Sequence, residues 1–270
     1  MTTPETTLAT DERVRLQQRI EAFNLQQLAF GTSSASAITL SFYVKSSITG
    51  TFGVDLKNED AGRSAAQSYT ISNANTWEKK TLTFAGDQTS GFNNDNGVGL
   101  TVSWVLAAGT DYTSGTLATA FASTTSANLA PSNQINLIGT DNATWQLTGV
   151  QLEAGVATPF EHESYASNLQ KCQRYYNRLG FMKHQFYSSS ASTTNPDLID
   201  SITFPPMRDA PAANPYTDAN YSSSGSTNTT DTTLTLSDIG ISSLISQAQR
   251  TSSGAKTVRT SYYLELVSEL

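Results

Sequence analysis

Apolar and polar residues alternate along much of residues 38–154, with a period of two. Such alternation is typical of strands that bury one face. Turn-forming Gly, Asn, Asp and Ser separate the alternating segments, so the pattern predicts an antiparallel β-sandwich. The predicted strands are ITLSFYVKSS, TGTFGVDLKN, AAQSYTIS, TWEKKTLTF, GVGLTVSWVLAAG, QINLIG and ATWQLTGVQLEA.

Two segments have a helical spacing instead. The first predicts a helix from about residue 10 to residue 23, capped by Thr10 or Asp11, with Leu16, Ile20 and Phe23 on one face. The second predicts a helix over residues 167–179. Its features are a capping box of Ser167 and Gln170, an apolar face that includes Tyr165, Leu169 and Cys172, and Gly180 as its stop.

A second β-rich segment follows this helix. Its strand candidates are FMKHQFY, LIDSITFPPM, TTLTLSDIG and TVRTSYYLELV. The stretch PAANPYTDANYSSSGSTNTTD is rich in Ser, Thr, Asn and Pro, so we interpret it as a loop with a weak strand. At the other end of the chain, residues 1–9 are polar and are predicted to be flexible.

Composition and charge exclude several classes of function. The chain of 270 residues has a net charge of −7 and no cluster of Lys and Arg longer than Lys79–Lys80. Nucleic-acid binding needs a basic face, so we expect no nucleic-acid partner. Apolar runs are too short for a membrane span, and the N-terminus does not resemble a secretory signal. A single cysteine excludes an intramolecular disulfide, and we expect synthesis in a cytoplasm.

The string LTGVQLEAGVATPFEHESYASNLQKCQRYY resembles a string common in tail-fibre and related virion proteins of tailed phages, with the pattern QLE-G--ATPFEHR-Y--EL--CQRYY. Upstream, RLQQRIEAFNLQQLAFGTSSASAITLSFYVKSSITGTF, NTWEKKTLTFAGD and NNDNGVGLTVSW resemble that family's carbohydrate-binding-like jelly roll. Downstream, DSITFPPMRDAP resembles the opening of its small β domain. The resemblance covers roughly residues 12–215. It implies a jelly roll at 10–160 with one N-terminal helix, a linker helix at 161–180 and a small C-terminal β-sandwich at 181–270.

Two departures from the family pattern stand out. Glu163 occupies a position where the family usually has Arg. The family's jelly roll also commonly begins with one or more strands before the helix, whereas this chain starts almost at the helix. Either those strands are lost and the sandwich is open at one edge, or another chain fills the gap. We expect a neighbouring virion chain or a symmetry mate to cover that edge.

The resemblance implies a structural virion protein, a tail-fibre or appendage subunit that attaches to the host through multivalent contacts. It further implies a homotrimer located in the virion, with other virion proteins and a host surface glycan as partners. One alternative is a capsid decoration or head appendage protein. Another is a tail spike that cleaves glycans.

Aromatic residues near predicted turns are candidates for stacking on a sugar ring. Trp77 follows a turn at a strand start, Tyr112 lies in a loop rich in Gly, Thr and Asp, and Phe92 precedes another turn. Trp104 and Trp145 lie within apolar strands, so we interpret both as core residues.

The turn NNDNG offers oxygen ligands from Asn93 and Asp95 that suit Ca²⁺. Asn-Gly is also a strong hairpin signal, and a plain turn is the favoured interpretation. The chain has no zinc-binding or EF-hand motif, so we expect no resident metal and no cofactor.

The sequence does not favour an enzyme. His162 lies beside acidic residues, but no nucleophile with a local signature accompanies it, and Cys172 is interpreted as a small buried apolar residue. A glycosidase pair among scattered carboxylates remains an alternative, with Asp55, Glu59, Asp60 and Asp87 as the candidates.

The predicted linker helix carries a candidate interface. It consists of Arg174, Tyr175 and Arg178, a composition typical of binding hot spots. Ordinary packing between domains explains the same residues equally well.

Overall fold

The computed structural model describes residues 3–188, 197–216, 232–250 and 256–269. The chain divides into two compact units, residues 1–162 and residues 163–269. All paired strands in both units are antiparallel within the described ranges. The predicted mainly β fold of antiparallel sandwiches is confirmed.

The first unit consists of two sheets. A five-stranded sheet has the order β1-β6-β3-β4-β7, and a three-stranded sheet has the order β5-β2-β8. The strands are β1 (Arg13–Glu21), β2 (Ile38–Ser46), β3 (Gly50–Asn58), β4 (Arg63–Ile71), β5 (Glu78–Phe84), β6 (Val98–Ala108), β7 (Ala122–Ser123) and β8 (Trp145–Ala154). A short helix, α1 (Thr110–Thr113), follows β6, and 3-10 turns occur at Ala22–Leu28, Ser126–Asn128 and Leu137–Gly139.

The core of this unit lies between its two sheets. Phe42 of β2 makes edge-to-face contacts with Tyr69 of β4 and Trp104 of β6, at centroid distances of 5.2 and 5.9 Å. The inward positions of β2 are at most 1 % exposed. Each fully buried side chain of this size contributes roughly 1.5–3 kcal/mol, so alternation in the sequence sets which face of each strand turns inward. As predicted, Trp104 is a core residue and Trp145 packs against the core.

The helix predicted over residues 10–23 is wrong, because this segment forms β1. It pairs along β6, from Arg13 opposite Ala108 to Glu21 opposite Val98. Leu16 and Ile20 are four residues apart, and four is both a helical repeat and an even number, so the spacing fits a strand equally well. The first unit therefore begins with a strand, contrary to the expectation that the chain starts at a helix. β1 has one strand neighbour among the described residues.

Two further predictions in this unit need correction. QINLIG is not a strand: Gln134 makes a single bridge to Thr51, and a 3-10 turn follows at Leu137–Gly139. The N-terminal segment predicted to be flexible is partly held by hydrogen bonds. The Glu5 N–H donates to the Ile138 carbonyl at 2.9 Å, and the Asn136 side chain donates to the Glu5 carbonyl at 2.8 Å.

The helix predicted over residues 167–179 is shorter than expected and begins two residues earlier. It is α2 (Tyr165–Gln173), capped by Ser164, whose hydroxyl accepts from the Ser167 N–H at 3.2 Å. The chain then enters a strand at Tyr176, so Gly180 lies within that strand instead of ending a helix. No residue of α2 is buried, and the prediction that Cys172 is buried is wrong, because it is exposed.

The second unit consists of two three-stranded sheets, ordered β10-β13-β12 and β11-β14-β9. Its strands are β9 (Tyr176–Ser188), β10 (Asp197–Thr203), β11 (Ala212–Tyr216), β12 (Thr232–Ser237), β13 (Ser243–Arg250) and β14 (Lys256–Val267). Residues of both sheets share one small core, formed by Ile202, Phe204, Met207, Leu244, Leu264 and Leu266. The predicted loop after Pro211 begins with β11, and its residues 217–231 lie outside the described ranges.

Candidate functional site

A cavity of about 240 Å³ opens on the outer face of the five-stranded sheet, where β1, β6 and β3 run side by side. Its lining is mostly polar and includes five ionisable side chains from β1, β3 and the turn after β3. We call this cavity the polar groove and define it by Arg13, Arg15, Asp55, Glu59, Tyr112 and Thr124.

The alternation of β3 and β6 places polar side chains on the groove side. In β3, Val54 and Leu56 point into the core, so Asp55 between them points outward. In β6, Val102 is a core residue, and the flanking Thr101 and Ser103 line the groove. An outward position is ordinarily wet, yet Asp55 is only 2 % exposed.

The long connection between β6 and β8 explains this burial, because it folds back over the outer face of the sheet. The Gly53 N–H donates to the Gln134 side-chain oxygen at 2.8 Å, and Pro131 packs directly on Gly53. A Cβ on Gly53 would lie 2.8 Å from Pro131, so this approach requires glycine. The connection thus covers one end of the face and leaves the polar groove beside β1.

Tyr112 is held over the groove by the short helix α1. The Asp111 N–H donates to the Thr10 carbonyl at 2.9 Å, and the Ala130 N–H donates to the Tyr112 carbonyl at 3.1 Å. The Arg13 guanidinium lies 4.4 Å from the centre of the Tyr112 ring, within the range of a cation–π contact. One face of the ring is therefore occupied by Arg13.

Buried polar atoms without partners are concentrated in residues that line the polar groove. Across the described residues, six buried side-chain atoms make no hydrogen bond, and three belong to groove residues: Asp55 Oδ2, Arg13 Nη1 and Thr124 Oγ1. Leaving such an atom unpaired costs about 1–3 kcal/mol, so three in one cavity is an expensive arrangement. A polar ligand that pairs with them would recover that cost.

Burial raises the pKa of Asp55 to about 6, despite the opposing positive charges of Arg13 and Arg15 and a hydrogen bond with Ser103. The negative charge of Glu59 acts in the same direction as burial. Burial also lowers the pKa of Arg13, and the charge of Arg15 adds to this effect. The groove thus contains a carboxyl group that changes its charge near neutral pH.

Other groove residues are paired with one another. Lys57 Nζ lies 2.5 Å from Glu59 Oε2, and the Thr101 hydroxyl donates to Glu59 Oε1 at 2.9 Å. In the amide orientation that satisfies its neighbours, the Gln17 side-chain oxygen accepts from Arg15 Nε and Nη1, both at 3.2 Å, and from the Ser103 hydroxyl at 3.1 Å. Glu59 therefore carries a neutralised charge, whereas Arg15 is bonded to a neutral amide.

The four carboxylates named from the sequence separate into two groups. Asp55 and Glu59 line the polar groove together. Asp60 instead accepts from the Asn93 backbone and side chain at 3.0 and 2.8 Å, and Asp87 is paired with Arg63 at 2.6 Å. The structure thus brings two candidates into one cavity and engages the other two elsewhere.

The three aromatic residues predicted to stack on sugars lie in different places. Tyr112 lines the polar groove. Trp77 is 44 % exposed just before β5 of the other sheet, where Lys45 Nζ lies 5.2 Å from its ring centre. Phe92 is half-buried, packs against the core and stacks on Phe30 at 5.0 Å, away from the residues that line the groove.

The NNDNG segment is a turn held by one hydrogen bond within it and by hydrogen bonds to Asp60. Asp95 Oδ1 accepts from the Gly97 N–H at 2.9 Å, and Asn93 is bonded to Asp60. Among the described residues, no three side chains of His, Cys, Asp or Glu are grouped to hold a metal ion.

The predicted interface residues lie where α2 ends and β9 begins. The carbonyls of Arg174 and Tyr175 accept from the backbone N–H groups of Arg208 and Ser268, both at 2.8 Å. Arg178 is exposed on β9, opposite Glu265 of β14. His162 makes an edge-to-face contact with Phe160 at 5.0 Å.

Sequence reasoning missed most of the groove because it placed β1 in a helix. Read as a strand, β1 has Arg13, Arg15 and Gln17 on one face, a pattern with a period of two.

No helix in the described ranges has the length and apolarity to cross a membrane. No protein-family model matches the chain, and no curated protein matches it. Two solved structures of discoidin II from Dictyostelium discoideum, one wild-type and one recombinant, align with TM-scores of 0.24 and 0.23 and identities of 8 % and 7 %. The alignments cover 86 % and 87 % of this chain and 72 % and 73 % of those chains.

Proposed function

We propose that the first unit binds a glycan in the polar groove and that the chain is a non-enzymatic subunit of a tailed-phage appendage used in host attachment. The observation that supports this best is that three residues lining one open cavity each carry a buried polar atom without a hydrogen-bond partner. Sugar hydroxyls both donate and accept hydrogen bonds, so a single ligand class meets all three demands.

Each group has a distinct role in this proposal. The Asp55 carboxylate accepts from a sugar hydroxyl, and Arg13 Nη1 donates to a ring or hydroxyl oxygen. Thr124 does either, since a hydroxyl has both a proton and lone pairs. The exposed part of the Tyr112 ring packs on the apolar C–H face of the sugar, while Arg13 covers its other face.

The virion part of the proposal depends on the sequence motifs around residues 147–176. A groove of this size holds a short piece of glycan, so a single copy is expected to bind weakly. A homotrimer presenting three grooves converts weak contacts into strong attachment through a high effective concentration.

The binding test uses the full chain against a panel of bacterial surface polysaccharides and their oligosaccharides. Tyr112→Ala and Asp55→Asn are expected to reduce binding by about tenfold or more. Trp77→Ala is the matched control, because it removes an exposed aromatic ring outside the groove, and it is expected to bind normally. Loss of binding in the control alone, or no binding to any glycan, would contradict the proposal.

Location and assembly need separate measurements. Immunogold labelling of intact particles is expected to mark the tail, and light scattering of the purified chain is expected to give three times the mass of 29.0 kDa. Labelling spread over the head would favour the capsid decoration alternative.

A second candidate is glycan cleavage, because Asp55 and Glu59 line one cavity and the pKa of Asp55 is raised to about 6, as in a general acid. Release of reducing ends from a bound polysaccharide, abolished in both Asp55→Asn and Glu59→Gln, would establish it. Binding without release of reducing ends supports a non-enzymatic appendage.

A further inference from the structure

The polar groove has more positive charge than its own carboxylates neutralise. Lys57 and Glu59 form an ion pair at 2.5 Å and cancel each other. This leaves Arg13 and Arg15 against Asp55 alone among the ionisable acids that line the groove. The chain as a whole has a net charge of −7, so the excess positive charge is a local property of this cavity.

Neither guanidinium is paired with a carboxylate within the described part of the chain. Arg15 is bonded to the neutral amide of Gln17. Arg13 lies on the Tyr112 ring and has a buried Nη1 without a hydrogen-bond partner. A planar guanidinium with a free donor edge is the group that binds carboxylates in a bidentate manner.

Asp55 constrains where a negative ligand group can sit. It is 2 % exposed, and its Oδ2 has no hydrogen-bond partner. A ligand anion beside an ionised Asp55 would be repelled, so the group that meets Asp55 must be a hydroxyl. The ligand that best complements this lining has a negative group beside Arg13 and Arg15 and hydroxyls beside Asp55 and Thr124.

We propose that the polar groove is selective for a sugar unit that carries a carboxylate, of the uronic acid class, with the carboxylate bound by Arg13 and Arg15 and the hydroxyls bound by Asp55 and Thr124. This inference depends on the proposed function of the groove as a glycan site. A neutral hexose satisfies Asp55 but leaves the groove with more positive than negative charge. A small inorganic anion satisfies the arginines but leaves Asp55 unpaired.

The first experiment measures binding of the full chain to trigalacturonic acid and to its fully methyl-esterified form. The two ligands share shape and hydroxyls but differ in charge, and we expect the acid to bind about tenfold more tightly or better. Arg15→Gln is expected to remove that preference. Lys171→Gln is the matched control, because it removes the same charge from the exposed face of α2 and should leave the preference intact.

The second experiment measures proton uptake on binding, by calorimetry in buffers of different ionisation enthalpy near neutral pH. The charged and titratable groups that line the groove with Asp55 are Arg13 and Arg15 of β1, Lys57 and Glu59 on the β3 side, and Tyr112 of α1. A bound carboxylate adds negative charge to this set and raises the proton affinity of Asp55 further. We expect a fractional proton uptake with trigalacturonic acid and none in Asp55→Asn.

The outcomes separate the inference from the proposed function. Equal or tighter binding of the esterified or other neutral glycans overturns the carboxylate preference but leaves a glycan-binding groove. Competition by sulfate alone, at concentrations comparable to those of the sugar acid, also overturns it, because the groove would then take any anion. If the chain binds none of the glycans tested, both the carboxylate preference and the proposed glycan-binding function are overturned.

Discussion

The first unit contains two buried aspartates with opposite surroundings. Asp87 is 3 % exposed and Asp55 is 2 % exposed. Asp87 accepts from Arg63 Nε at 2.6 Å, from Arg63 Nη2 at 3.2 Å and from the Thr89 N–H at 2.9 Å. Asp55 has an oxygen with no hydrogen-bond partner, and burial raises its pKa to about 6.

The difference between these residues separates a structural role from a binding role. The Arg63–Asp87 pair joins the start of β4 to the segment after β5, and Arg63 Nη2 also donates to the Phe121 carbonyl at 2.8 Å. Both carboxylate oxygens of Asp87 accept hydrogen bonds within the fold, so neither is left unpaired. Asp55 is as deeply buried as Asp87 but has an oxygen without a hydrogen-bond partner. A bound ligand that supplies the missing hydrogen bond would stabilise this arrangement.

The largest effect is expected from Asp87→Asn. This substitution leaves the largely buried Arg63 charge without a counterion, so we expect the free energy of unfolding to fall by about 3–5 kcal/mol. Urea denaturation followed by circular dichroism measures the change. Asp60→Asn is the control, since Asp60 is exposed, and it should change stability far less. Equal effects of the two substitutions would contradict the structural role of Asp87.

Asp55→Asn is expected to change the free energy of unfolding in the opposite direction to Asp87→Asn, and to raise it at neutral pH. The folded pKa of Asp55 is raised from near 4 to about 6, so the folded state holds a proton that the unfolded state has lost in this range. The contribution of Asp55 to stability is therefore complete below about pH 4 and is lost as the pH rises through about 6, a change of roughly 3 kcal/mol. The Asn variant has no titrating group at this position, so it does not lose this stability as the pH rises.

The check is urea denaturation of both proteins at about pH 4 and at about pH 8. We expect the stability of the variant relative to the native chain to increase with pH, while glycan binding decreases. A relative stability that does not change with pH would show that Asp55 titrates normally and that the contrast with Asp87 is unfounded.

Thr124→Val tests the same contrast between unpaired and paired buried groups, and its expected effect on stability is smaller. The substitution keeps the side-chain shape and removes a buried hydroxyl that has no hydrogen-bond partner, so we expect a gain in stability of about 1 kcal/mol. Glycan binding should weaken at the same time. The measurements are thermal denaturation and the glycan-binding titration, with Thr113→Val as the control because the Thr113 hydroxyl donates to the Gly109 carbonyl. A loss of stability in Thr124→Val would contradict the assignment of Thr124 to the site.

The smallest effect is expected at the exposed pair Lys171–Glu163 in the second unit, where both side chains are largely exposed. Exposed pairs contribute about 0–1 kcal/mol, and Glu163→Gln should lie within that range. Urea denaturation measures the change. A loss as large as that of Asp87→Asn would mean that exposure does not distinguish the ion pairs of this chain.

Much of the fold follows from local sequence patterns. Strands such as β2 and β3 were predicted because every second residue is apolar and each must leave water. β13 was missed because SLISQAQR has few apolar residues, and its strand pairs with β10 on one side and β12 on the other. At Tyr112 the sequence indicated an available aromatic residue but not its partner Arg13, which is 99 positions earlier in the chain by number.

The sequence by itself determined the β class and which faces of β2, β3 and β6 turn inward, since alternation is a local property of each strand. Tertiary structure decided that residues 13–21 are a strand, because that outcome depends on pairing with β6, which lies 77 to 95 positions further along the chain. It also decided that Asp55 is buried, since a strand's outward residue is wet unless a distant segment covers it. The contrast between Asp55 and Asp87 comes from those distant contacts: both look like ordinary acidic residues in the sequence, and only the folded chain completes the bonds of one and leaves the other open.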